Sequence, residues 1–157
     1  MKLLLRTFSI LMLVSLVLGS FIMAGVNFDW ADKVNDMQSS FFSRLIVEAA
    51  RPDIPESSAF VRAAWVWIGL APVAIVGIIA VFTKRHQFGW IVGAAVLLGM
   101  VLAVLLQPSL ANTGGNDPKT TAMGITFFGI AGALVLIGLH TIWKEIGKER
   151  FVPSTLK

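Results

Sequence analysis

The chain has no cysteine and no tyrosine, and only 14% of its 157 residues are charged. Without cysteine there is no disulfide framework, no thiolate metal site and no cysteine nucleophile, and nothing to read about redox compartment. Without tyrosine, one common proton donor is gone. Titratable chemistry is left to nine carboxylates, two histidines and thirteen Lys and Arg residues. The charge deficit excludes most. An ordinary globular chain is about 25% charged and about 45–50% apolar, whereas this one is 56% hydrophobic with a mean hydropathy of +0.80. That composition excludes a water-soluble enzyme, a disordered regulator and a nucleic-acid reader. The sequence pI of 9.9 does not reopen the last, because the basic residues flank apolar runs.

Four such runs are long enough for a bilayer crossing, which takes about twenty residues. They cover residues 7–26, 63–82, 88–106 and 121–143, and none contains Asp, Glu, Lys or Arg. Each is apolar all round, as a helix facing both lipid and its neighbours must be. In lipid the backbone has to satisfy its own hydrogen bonds, so helices are the expected form. The fold class that follows is an all-α, integral-membrane four-helix bundle within a single domain, residues 1–157. The first run follows Lys2 and Arg6, as a secretion signal would. At about twenty residues it exceeds the usual 7–15 of a signal core, so it is read as an anchor.

Basic residues set the expected orientation. The N-terminus, the turn between the second and third runs, and the C-terminal tail carry Lys2, Arg6, Lys84, Arg85, Lys144, Lys148, Arg150 and Lys157. The opposite side carries Lys33, Arg44, Arg51, Arg62 and Lys119 over a longer stretch. Both termini are therefore expected in the cytoplasm, with the protein in the cell's inner (plasma) membrane. Residues 27–62 then form a large outer loop and residues 107–120 a small one.

Within the large loop, residues 29–51 place Trp30, Val34, Met37, Phe41, Leu45 and Ala49 at steps of three and four, which is helical spacing. Asp29 is the expected cap, and Pro52 the stop. This amphipathic helix is read as lying on the membrane surface, over the mouth of the bundle, or on a partner protein. Its acidic residues disfavour anionic lipid, so Trp30, Val34, Met37, Phe41 and Leu45 are assigned to protein docking. Pro52 and Pro55 make a rigid connector, and Arg62 is an anchor whose charged head reaches the interface. Gly114-Gly115 lacks the Lys-Ser/Thr of a phosphate loop and reads as turn chemistry.

Small residues recur every fourth position inside the runs. Ala95, Gly99 and Ala103 fall on one face of the third helix, and Gly129 and Ala133 on one face of the fourth. Such faces let helix backbones approach closely where no hydrophobic drive operates. Pro72 is expected to bend the second helix. Trp30, Trp65, Trp67 and Trp90 are expected at the membrane interfaces.

Chemistry inside the membrane is scarce. Proton relays and carriers of charged substrates keep an ionisable group at depth, and these runs hold no carboxylate, Lys or Arg. His86 and His140 face the same leaflet and could in principle ligate a haem iron. The simpler reading makes His86 a solvated neighbour of Lys84 and Arg85, and gives His140 a neighbouring carbonyl or the interface. Asp29, Asp32 and Asp36 share a helical face without the further ligands a metal needs. No catalytic, cofactor-binding or metal residue is assigned, and no enzymatic activity is expected. The sequence thus suggests an accessory or scaffold subunit of a larger inner-membrane complex. Its partners would be membrane lipids, other integral membrane subunits or copies of itself, and not nucleic acid. The alternative is a small channel or carrier for an uncharged or hydrophobic solute.

Overall fold

The computed structural model describes residues 2–39, 55–110 and 117–149. These form four helices: α1 (Lys2–Ser39), α2 (Ser57–Phe82), α3 (His86–Leu106) and α4 (Pro118–Glu149). Each contains a stretch long and apolar enough to cross a membrane. At 1.5 Å per residue, the 38, 26, 21 and 32 residues span about 57, 39, 32 and 48 Å. A hydrocarbon core of about 30 Å is matched by α3, whereas α1 and α4 overshoot it.

Side-chain pairs along each seam fix the topology. Leu13 lies against Gly77, and Phe28 meets Trp65 edge-on, their ring centroids 6.2 Å apart, so α1 and α2 run antiparallel. Gly77–Val92 and Gly99–Leu70 set α3 antiparallel to α2, and Gly93–Ile137 and Gly129–Met100 set α4 antiparallel to α3. Ser9–Gly132 and Gly19–Ile125 close the ring between α4 and α1. The result is an up-down-up-down bundle in which consecutive helices are neighbours, α1 and α2 sharing the longest seam. The start of α1 and the end of α4 lie at one end, together with the Lys84-Arg85 turn.

One boundary differs from expectation. The helix does not break before Asp29: α1 continues to Ser39. No Pro or Gly interrupts residues 26–39, and Asp29 pairs with Lys33 one turn on at 2.6 Å instead of capping a new helix. The expected outer helix is therefore, over residues 29–39, a continuation of the first span. Residues 40–51, with Phe41 and Leu45, lie outside the described residues, as do Pro52 and Gly114-Gly115. α2 runs through Pro72 without interruption, the proline lying on its exposed side.

A continuous apolar core built around Leu13, Leu16, Met23, Trp67, Met100 and Leu136 fills the space between the helices. Exposed Leu11, Ile79, Leu98, Leu105 and Phe127 girdle it. Such a girdle, unfavourable in water, suits lipid.

Candidate functional site

Polar side chains inside an apolar bundle are costly unless each finds a partner, so they mark where the sequence spends its specificity. The first group lies at the end where α1 overshoots. Asn27 on α1, Trp67 on α2 and Gln107, the residue closing α3, are all buried. Trp67 Nε1 donates to Gln107 Oε1 at 2.9 Å. Gln107 Nε2 donates to Asn27 Oδ1 at 2.8 Å, and Asn27 Nδ2 returns a bond to Gln107 Oε1 at 3.1 Å. Asn27 Nδ2 also reaches the Met23 carbonyl at 2.8 Å. The two amides thus pair reciprocally and the indole donates to the same Gln107 oxygen, tying three helices together.

An apolar lid covers this node. Trp30 stacks on Phe60 with ring centroids 6.4 Å apart, and Ala31, Val34, Phe60 and Leu110 form a small buried cluster with Trp30 and Val61 against it. Lys33 Nζ sits 5.2 Å from the Trp30 ring centroid, a favourable cation–π position. Asp117 holds the entry to α4. Its Oδ1 accepts from the amides of Leu110 at 3.1 Å and Lys119 at 3.2 Å, and Ser109 Oγ donates to its Oδ2 at 3.2 Å. Partial desolvation raises the Asp117 pKa. The amide bonds from Leu110 and Lys119 and the hydroxyls of Ser109 and Thr120 outweigh it, so the carboxyl lies below its ordinary value. With Pro118 as the first helical residue, this is a built helix start.

The second polar group lies at the opposite end. His140 on α4 is buried, its Nε2 lying 3.0 Å from the Ala80 carbonyl of α2. Its ring lies flat against Gly89 of α3, where a Cβ would collide with it. This is the carbonyl-bonded reading of His140. The His86 side chain lies outside the described residues, which leaves the haem pairing unaddressed. Between the two ends, Ser9 Oγ donates to the Gly132 carbonyl at 3.1 Å, the short side chain and the glycine bringing α1 and α4 together.

The assigned packing residues fare unequally. Ala103, Gly129 and Ala133 are buried, and Gly99 meets Leu70 of α2, with 2.8 Å left for a Cβ. Ala95 is exposed, which corrects its place on a packed face. Successive fourth positions drift around a 3.6-residue helix, so residues 95, 99 and 103 do not share one seam. The actual α3–α4 seam uses Gly89 and Gly93, the latter 2.6 Å from Ile137 Cγ1 at the Cβ position. Gly89-x-x-x-Gly93 carries the same spacing signal. Trp67 is likewise a core residue rather than an interface one; its indole N–H has a partner inside, which sequence cannot reveal. Trp65 and Trp90 are exposed.

The docking stripe is also corrected in part. Val34 is buried, and Trp30 is packed, by the chain's own α2 and Leu110. That consumes them as partner contacts, because α1 extends far enough to lie along the first turns of α2. Met37 projects outward. Among the described residues, no group of three His, Asp or Glu side chains converges as a metal ligand set. What the arrangement does chemically is clamp helices together at both ends. The class of protein so defined is an all-helical bundle with the build of a multi-pass membrane protein. Compared with family models, curated proteins and solved structures, the chain finds no match.

Proposed function

We propose that this protein is a non-enzymatic accessory or scaffold subunit of a larger inner-membrane protein complex. One observation carries the reading: the buried side chains of Asn27, Trp67, Gln107, His140 and Ser9 each make a hydrogen-bonding contact with another group of the chain. An interior organised this way favours one fixed arrangement of four helices, the property a scaffold needs. Along the axis, the described apolar side chains close on one another, which favours a scaffold over a channel or carrier. The extended end of α1, with exposed Met37 beyond the lid, is the natural approach for a partner outside the membrane core.

The test is extraction from native membranes in a mild detergent, followed by sizing and cross-linking from a photoreactive residue at position 37. The expected result is a particle heavier than the detergent-bound monomer, with one integral membrane protein, or a second copy, cross-linked in constant proportion. A lone monomer carrying no partner overturns the proposal.

A further inference from the structure

Between α3 and α4, on the outside of the bundle, lies an open groove of about 350 Å³. Leu97, Val101, Val104 and Leu105 form one wall, Thr126 and Ile130 the other, and Met100 lies at its floor. Thr126 is the one polar side chain of that lining, and it donates its hydroxyl to the Met123 carbonyl of its own helix at 2.7 Å. The walls are therefore apolar throughout. Val101, Leu105 and Ile130 are exposed, so the groove opens sideways into whatever surrounds the bundle.

Its walls and setting select the occupant. An apolar slot open along its side to the lipid around a bundle of this build takes a hydrocarbon chain without stranding any polar group. Charge adds the second constraint. Lys119, Met123, Thr126 and Ile130 follow at steps of four, three and four, so they share one face of α4. Lys119 stands seven residues, or about 10.5 Å, above Thr126, at the start of the helix. Among the described residues it has no ion-pair partner. The carboxylate two residues before it, Asp117, has its oxygens taken up by amides and a hydroxyl. A cation above an apolar slot matches an anionic headgroup above an acyl chain.

We propose that this groove binds a phospholipid with an anionic headgroup, one acyl chain lying between α3 and α4 and its phosphate meeting Lys119. The site is independent of the accessory-subunit reading, since either can hold without the other.

The experiment strips the detergent-purified protein of lipid and titrates it with phosphatidylglycerol or phosphatidylcholine, counting bound lipid by native mass spectrometry. Phosphatidylglycerol is expected to be retained more tightly. Lys119→Gln is expected to weaken it about fivefold, the worth of one basic residue near the headgroup, leaving phosphatidylcholine unchanged. Val101→Trp, which fills the groove, is expected to abolish retention of both lipids, whereas Leu98→Trp, exposed but outside the groove, leaves both intact. Should Val101→Trp lose its helical circular dichroism, the unsubstituted protein carries the test. A phosphatidylglycerol bearing a photoreactive group in mid-chain should label the α3 and α4 peptides around Val101 and Ile130. Indifference of phosphatidylglycerol to both substitutions, labelling spread evenly around the bundle, or a protein segment cross-linked through Val101 overturns the proposal.

Discussion

Gly89→Ala tests the packing argument at its most demanding point. A Cβ at this position collides with Cδ2, Cγ and Nε2 of the His140 ring, and that Nε2 also lies 3.0 Å from the Ala80 carbonyl. The ring has to move, and in moving it gives up that bond. Overpacking of this kind costs about 1–3 kcal/mol, and a hydrogen bond between membrane helices contributes about 0.6 kcal/mol on average. Against this, Ala exceeds Gly in helix propensity by about 1 kcal/mol. The net expectation is a loss of about 0.5–2.5 kcal/mol in the otherwise unaltered chain. With His140→Ala in place the obstruction is gone, and the same Gly89→Ala change should be neutral or stabilise by up to about 1 kcal/mol. The sign of the effect therefore depends on the second site, as a double-mutant cycle is built to detect. Unfolding by increasing SDS in mixed micelles, followed by tryptophan fluorescence, measures all four variants. A Gly89→Ala substitution that costs the same with and without the His140 ring would refute the reasoning.

Three further expectations follow from the two ends of the bundle and its seams. Gln107→Leu strands the indole N–H of Trp67 and the amide of Asn27, and should destabilise by about 1–3 kcal/mol in the same assay. Asn27→Leu added to it should cost less than the two single changes summed. Asp117→Ala removes the start of α4 and should cost about 1 kcal/mol or less, partial exposure placing it low in the capping range. The lowered pKa of Asp117 means this contribution is complete at neutral pH and disappears as pH falls through the folded-state value. Acid titration of stability should consequently fall more steeply in the parent chain than in Asp117→Ala. Ala95→Leu, on an exposed face, should leave stability within about 0.5 kcal/mol. Ala133→Leu, fully buried, should cost about 1–3 kcal/mol, as thermal unfolding in detergent would show.

Much of the fold is legible because the solvent dictates it. A run such as residues 88–106, uncharged and apolar on every face, has no low-energy form in lipid except a helix. The structure accordingly makes it α3, a helix of crossing length. For His140 the sequence left a neighbouring carbonyl and the interface both open, and the structure places its Nε2 at the Ala80 carbonyl. The site was harder to see. Asn27 and Gln107 stand at the edges of their runs, where amides are ordinary, and nothing in sequence says that residues 80 apart share two hydrogen bonds.

The sequence alone decided that this chain builds apolar helices and that four of its runs are long enough to cross a membrane, because those outcomes depend on the burial of single residues in a uniform medium. Tertiary structure decided which way each helix turns. It placed Gly89 and Gly93 rather than Ala95 in the α3–α4 seam, set Trp67 in the core, and laid the end of α1 along α2 so that Val34 and Trp30 are covered by the chain itself. Helix rotation is set by the sum of many weak contacts between neighbours, each worth about 0.1–0.2 kcal/mol per atom pair. Sequence spacing fixes which residues share a face; only the neighbouring surfaces determine which face turns inward.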